Sequence, residues 1–385
     1  MATRACVGVG AAIVLCALSL TPSISLADAS VWKDPSPHRV RFVTVEEGIR
    51  LETLDWGGRG RPVILLAGGG NTAHVFDDFA LKLTGRYHVY GITRRGSPPS
   101  SIPEDGYGAD RMGEDIIAAI RELQLTKPVL IGHSFAGNEM SNVASRRPDL
   151  VAAAVYLDAA HTWDEEYESQ GFYKIVEWKH QLNDFKKRLQ QLVDEPFDSR
   201  MLARDMLETN LPQLQAILET LIKIEDGRPP RPDATAADLV DFRAVQAWYA
   251  RNAKVVLPEA EFRSMLATDE QGRPTTKFRR PGFVGQKIDD GKRKYTNLTV
   301  PALAIFAVID DPGAARMDDP KERANAEAYQ WFQRERTKRQ VALFRRDIPG
   351  ARVVTIERAD HYVYLSNESE VLKELTAFID QLPRK

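Results

Sequence analysis

The chain predicts an α/β fold: a mostly parallel sheet with helices on both faces and an inserted helical cap. Three observations carry that reading. Short apolar runs, Val63-Ile64-Leu65-Leu66, Val129-Leu130-Ile131 and Ala152 to Leu157, read as strands buried on both faces, which is how strands of parallel sheets are placed. Helical spacing separates them, as in Met112, Ile116, Ile117, Ile120 and Leu123. The alternation stops near Thr162 and resumes at Val300, after a stretch that reads mostly as helix. At 385 residues, 43% hydrophobic and 28% charged, the chain has the material for a substantial core. A formal net charge of −2 supplies no electrostatic drive toward nucleic acid or anionic lipid.

Residues 1–27 read as a signal peptide rather than as part of the fold. Arg4 precedes an apolar stretch from Val7 to Leu20, and Ser25-Leu26-Ala27 fits a small-x-small cleavage site ahead of Asp28. The apolar run is short for a bilayer span and is interrupted by Thr21-Pro22, so stable membrane insertion after cleavage is not expected. The implied location is secreted or periplasmic. Cys6 and Cys16 both lie in the segment to be removed, which leaves no disulfide or cysteine metal site.

The remaining chain divides into a first core part at 28–161, a helical cap at 162–297 and a second core part at 298–385. Arg39 to Glu46 and Ile49 to Trp56 alternate about Glu47-Gly48 and predict a hairpin. After the strand at Val63 comes Ala67-Gly68-Gly69-Gly70-Asn71-Thr72, then a helical pattern from Ala73 to Leu83. No Gly-Lys-Ser/Thr follows, so the glycines do not make a phosphate loop; they suit a backbone N–H pointing unobstructed into a site. Tyr87 to Ile92 predicts a strand and Thr93 to Gly108 a loop. In the cap, Gly227 to Pro232 and Gly282 to Lys294 read as breaks, and Trp163, Tyr167, Phe172, Tyr173, Trp178, Trp248 and Tyr249 as its own core. The last part predicts a strand from Val300 to Ile309, a charged helix over Pro320 to Arg346, a strand from Ala351 to Ile356 and a closing helix over Glu368 to Leu382.

Gly132-His133-Ser134-Phe135-Ala136-Gly137 follows the Val129 strand and opens a helix. A serine flanked by small residues two positions away on each side is the pattern of a nucleophile elbow, with Ala136 in place of the second glycine. The same serine could simply cap the helix. Asp158, Asp310 and His361 also fall at strand ends, where open α/β sheets bind ligands.

In this order, Leu65-Leu66-Ala67-Gly68-Gly69, the Ser134 elbow, Val155-Tyr156-Leu157-Asp158 and Ala359-Asp360-His361 resemble the α/β-hydrolase superfamily, in particular its capped serine hydrolases with a helical lid after the sixth strand. The resemblance covers about Arg39 to His161 and Val300 to Leu382. It implies Ser134 as nucleophile and His361 as base, with activity falling as His361 protonates, because only neutral imidazole accepts the serine proton. For the acid that orients the base it offers Asp310, slightly preferred, and Asp158 as the alternative. Asp360 is expected to shape the histidine loop. The amides of Phe135 and Gly69 are the implied oxyanion donors.

The other histidines, His38, His74, His88, His133, His161 and His180, read as surface or packing residues, and no pair has metal-ligand spacing. No cofactor or metal is implied; the expected partner is a small-molecule substrate, with oligomeric state open. The leading reading is an exported hydrolase of an ester, thioester or lactone of a small to medium apolar substrate, working through an acyl-enzyme. Ser134 in place of an aspartate sets it apart from epoxide hydrolases and haloalkane dehalogenases. An aminopeptidase using Glu165, Glu166 or Glu168 to hold a substrate amine, a carbon–carbon bond hydrolase, an acyltransferase and a non-catalytic binding protein are the alternatives.

Overall fold

The structure is a computed structural model that describes residues 32–159, 175–194, 199–230, 232–309 and 316–383. Ten strands are present among the described residues: β1 Arg39–Glu46, β2 Ile49–Gly57, β3 Pro62–Leu66, β4 His88–Ile92, β5 Val129–His133, β6 Ala153–Leu157, β7 Leu266–Thr268, β8 Pro274–Phe278, β9 Ala302–Ile309 and β10 Arg352–Ala359. Eight of them form one sheet in the order β1-β2-β4-β3-β5-β6-β9-β10. The β1–β2 hairpin and the β2–β4 pair are antiparallel, and every other neighbour is parallel. The parallel strands therefore deliver their carboxyl ends, at Leu66, His133, Leu157 and Ile309, to one edge.

Period-two alternation in the central strands builds two apolar layers. Val63, Leu65, Ile131, Val155, Leu157 and Ile305 face one way and meet α1 (Asp77–Leu83) and the closing helix, whose Val371, Leu375 and Phe378 line the same cluster. Ile64, Leu66, Leu130, Tyr156 and Phe306 face the other way. There they meet α2 (Ala109–Glu122) through Ile116 and Ile120, α3 (Ala136–Arg146) through Met140 and Val143, and the long charged helix through Val341 and Phe344. Each fully buried leucine or isoleucine in these layers contributes about 1.5–3 kcal/mol relative to exposure. This two-sided burial explains why the strands read as continuous apolar runs.

Between β6 and β9 the described segments are α4 (Ile175–Asp194), α5 (Ser199–Asp205), α6 (Leu211–Asp226), α7 (Phe242–Ala253), α8 (Glu259–Met265) and α9 (Gly282–Asp290). Two features here depart from the sequence reading. The stretch after α8 is the antiparallel β7–β8 hairpin, turned at Gly272 with a positive φ of 78°. Gly282 to Asp290 is a helix, not a break, because Pro281 stands at its N-cap in extended conformation and launches it. Part of the insertion also joins the body: Phe242, Val245, Phe262 and Leu266 lie in the same apolar cluster as β3 and β5.

After β9 come α10 (Pro320–Asp347), α11 (Val363–Ser366) and α12 (Glu368–Asp380). Asp319 caps α10 by accepting from the Lys321 and Glu322 amides. β10 runs three residues further than its apolar pattern, to Ala359, and so carries the chain to His361. Ser36–Lys385 is one compact unit. No helix among the described residues is long and apolar enough to cross a membrane.

Candidate active site

Ser134 sits in the turn between β5 and α3 with φ at +52°, a left-handed conformation that a non-glycine residue holds only where its surroundings impose it. The turn is crowded. A Cβ at Gly132 would come 2.9 Å from the Ala136 methyl and 2.8 Å from Met140 Sδ, and one at Gly137 would strike the Ala159 carbonyl. Position 132 has no room for a methyl group beside Met140 and Ala136, whereas position 136 carries one. That accounts physically for the altered second small position of the motif.

The turn brings Ser134 Oγ to 2.9 Å from His361 Nε2, and His361 Nδ1 lies 2.7 Å from Asp158 Oδ2. Three residues expected from the sequence thus form one hydrogen-bonded chain. Asp158 is held in turn by the Ala307 amide, which donates to Oδ1 at 3.0 Å, and its own amide donates to the Ile305 carbonyl at 2.7 Å. Asp158, like Ser134, has positive φ, at 45°. This aspartate is 5% exposed, whereas the His361 side chain is open enough to meet a substrate.

Of the two candidate acids, Asp310 and Asp158, the described residues bring Asp158 to the base. The carboxylate at Nδ1 belongs to Asp158, because β6 ends directly beside the histidine loop; Asp310 lies outside the described residues. Glu165, Glu166 and Glu168 also lie outside them. Asp360 does shape the histidine loop: its Oδ1 accepts from the Tyr362 amide at 3.0 Å, and its amide donates to Ser366 Oγ.

Gly68, Gly69 and Gly70 face the elbow from the end of β3. A Cβ at Gly68 would fall 2.9 Å from His133 Nδ1 and 3.2 Å from Ser134 Cβ, so close approach demands glycine there. One built at Gly69 would lie 3.6 Å from Phe135 Cβ, which places the two implied oxyanion donors side by side. Among the described residues neither the Gly69 nor the Phe135 amide donates to a protein acceptor. Such N–H groups are available to a developing oxyanion.

The loop carbonyls are turned the other way by Arg94, which the sequence reading placed in an ordinary loop. Its Nη2 donates to the Ala67 carbonyl at 2.7 Å and its Nη1 to Gly68 at 3.1 Å. The guanidinium pairs with Glu139 of α3 through two contacts and stands 5.0 Å above the Phe135 ring. Both Arg94 and Glu139 are buried, so each neutralises a charge that would be expensive alone.

His133 belongs to the site too, although it read as a packing residue. Its Nε2 donates to the His361 carbonyl at 2.9 Å, and its ring lies tilted against that of His361, the centroids 4.6 Å apart. His38 and His74 both lie on the Asp77 carboxylate, at 3.0 and 3.1 Å. Burial opposes ionisation of Asp77, but these hydrogen bonds outweigh it and hold the carboxyl below its ordinary range. His161 and His180 lie outside the described side chains.

The family model described as the alpha/beta hydrolase fold matches residues 61–245. A solved E-2-(acetamidomethylene)succinate hydrolase superposes with a TM-score of 0.56 over 89% of this chain and 99% of its own, at 20% identity. The chain has the alpha/beta-hydrolase fold. An esterase from Exiguobacterium antarcticum shares this hydrolase fold with a TM-score of 0.50 at 16% identity, over 89% of this chain and all of its own. Among curated relatives, the 2-(acetamidomethylene)succinate hydrolase of Mesorhizobium japonicum is 31% identical over 119 residues, 30% of this chain and 43% of that protein. A bifunctional esterase/perhydrolase of Acinetobacter calcoaceticus is 32% identical over 162 residues, 40% of this chain and 58% of its own. The chain spans about half the length of the curated relatives it matches.

Proposed function

We propose that this alpha/beta hydrolase is an exported serine hydrolase that cleaves an ester, thioester or lactone through an acyl-enzyme. The observation that carries the reading is the continuous chain Asp158–His361–Ser134, at 2.7 and 2.9 Å. Asp158 accepts from His361 Nδ1–H and so leaves Nε2 unprotonated and aimed at Ser134 Oγ. Nε2 takes the hydroxyl proton as Oγ attacks the substrate carbonyl. The tetrahedral oxyanion lies on the Gly69 and Phe135 amides, the leaving group departs with the proton from His361, and water repeats the sequence on the acyl-enzyme. Export rests on residues 1–27 and is tested by mass spectrometry of the mature protein, which begins at Asp28 if cleavage follows Ala27.

The enzymatic test is hydrolysis of p-nitrophenyl esters of graded acyl length, with Ser134→Ala as control. Serine-dependent turnover supports the reading, and the optimum gives the size of the acyl pocket. Turnover that survives Ser134→Ala refutes it.

A second reading of the substrate is favoured by Arg280. This half-buried guanidinium makes no hydrogen bond or ion pair with any described residue. Burial, and then Arg94 nearby, push it below its ordinary value. It lies two residues before α9, whose Val284 and Ile288 belong to the apolar cluster against which Phe135 packs. A carboxylate on the substrate would relieve that unpaired charge, as would suit a relative of a succinate-derivative hydrolase. A p-nitrophenyl hemisuccinate preferred over the butyrate, with the preference lost in Arg280→Ala, supports this second reading; equal use of both esters refutes it.

A further inference from the structure

Helix α8 carries a carboxylate that no step of the proposed mechanism uses. Glu261 is completely buried. Its Oε1 accepts from Asn71 Nδ2 at 2.9 Å and from the Thr72 amide at 3.0 Å, and its Oε2 accepts from Thr72 Oγ1 at 2.5 Å. Asn71 and Thr72 directly follow Gly68-Gly69-Gly70, so the grip lies two residues beyond the Gly69 amide. The same asparagine reaches the other side of the site. Its Oδ1 accepts from the Tyr362 hydroxyl at 3.1 Å, and Tyr362 is the residue after His361.

We propose that Glu261 is a positioning residue: through its ionised carboxylate the inserted segment holds the oxyanion loop and the histidine loop in register, and turnover depends on that charge. The inference rests on the serine hydrolase reading above. The donor count supports the ionised form. Asn71 N–H, Thr72 N–H and Thr72 O–H all point at the carboxylate, which is acceptor-only, and so matches three donors, when deprotonated. A neutral glutamic acid must donate one proton of its own. Thr72 Oγ1 is the one acceptor among these partners, and its own proton would have to turn away.

The surroundings place this change near neutrality. Burial drives the Glu261 carboxyl up, and hydrogen bonds from Thr72 and Asn71 with the charge of His74 pull it back, leaving it at about 7. His74 faces it from the 3-10 turn Ala73–Phe76 and is itself shared between Glu52 and Asp77. Tyr362 and Tyr364 face it with neutral hydroxyls, their ionisation pushed up first by burial and further by this carboxylate, and Tyr249 of α7 hydrogen-bonds Tyr362. Met265 Sδ closes the remaining side, 3.6 Å from Asn71 Nδ2.

The test measures kcat and KM for p-nitrophenyl acetate, and the rate of fluorophosphonate labelling at Ser134, from about pH 5.5 to about pH 9. Wild type, Glu261→Gln and Thr72→Val are compared, each first shown to be folded by its melting temperature. Glu261→Gln fills the same volume without a charge. The expected result is a kcat lower by about 10-fold or more above neutral pH, KM within about twofold, and one ionisation fewer on the acid side. Thr72→Val removes one donor that favours the charged form, so the acid limb moves to higher pH. A Glu261→Gln enzyme with wild-type kcat and an unchanged profile overturns the proposal, as does an unmoved limb in Thr72→Val. Wild type that neither hydrolyses the ester nor labels at Ser134 overturns the serine hydrolase reading itself.

Discussion

Asp158→Asn separates the two candidate acids, and its effect can be worked from the contacts of one side chain. Among the described residues the carboxylate accepts from the Ala307 amide at Oδ1 and from His361 Nδ1–H at Oδ2. An asparagine keeps one acceptor. The Ala307 amide is a fixed donor on β9, so the amide oxygen must stay there and the NH2 group must face His361. That NH2 forces Nδ1 to become the acceptor, which moves the imidazole proton to Nε2, the atom required to take the Ser134 proton. Volume and burial hardly change, so the loss falls on the reaction and not on the fold. A wrong tautomer of this kind lowers kcat by about 10⁴-fold, equivalent to about 5 kcal/mol of transition-state stabilisation. The assay is steady-state ester hydrolysis with melting temperatures measured in parallel, and Asp310→Asn as comparison. The expected outcome is the full loss at position 158 with an unchanged melting temperature, and less than about a threefold effect at 310. A loss under 10-fold at 158 together with a collapse at 310 would refute the assignment.

Other consequences concern stability. Replacing Arg94 by Met leaves Glu139 buried without its partner and should lower the unfolding free energy by about 3–5 kcal/mol in urea titrations, with part regained in the Arg94→Met, Glu139→Gln double variant. Gly132→Ala overfills the elbow against Met140 and Ala136 and should cost about 1–3 kcal/mol, recovered in part when Ala136→Gly vacates its share of the space; no recovery would show that the two positions do not compete. Glu261 also predicts a pH dependence of stability. Its folded value, about 7, lies above the ordinary 4.5, so between these values the unfolded chain has released a proton that the folded chain retains. Stability therefore falls as pH rises through that window, by up to about 3 kcal/mol. The melting temperature of wild type should drop relative to Glu261→Gln between about pH 5 and about pH 8; parallel curves would contradict the buried charge. The charged form that we propose for turnover would then be the less stable one, a trade seen where active sites hold strain.

The parts of this site that could be read from sequence are those whose chemistry restricts nearby residues. The elbow was legible because a serine at positive φ beside a helix start excludes large neighbours, and Gly132 and Ala136 satisfy that exclusion locally. The central strands were legible because burial on both faces leaves unbroken apolar runs. The choice of acid was not, since both aspartates follow strands in the sequence and only the folded structure brings Asp158 to His361 Nδ1. Glu261 was illegible for a plainer reason: its partners lie 189 and 190 positions away, and its helix surrounds it with other charged residues. The β7–β8 hairpin hid in the same way, since Asp269 to Arg273 is as charged as the helices on either side. Arg94 read as part of a Pro/Gly/Ser loop because nothing adjacent in sequence reveals that its partner is on α3.

The central claim is that Ser134 is a nucleophile activated by His361. Its most direct test is fluorophosphonate labelling of the full chain, followed by peptide mass spectrometry. The account predicts one modified residue, Ser134, with labelling abolished by His361→Ala although that variant stays folded. Labelling at another residue, or labelling of Ser134 at the wild-type rate without His361, would contradict it.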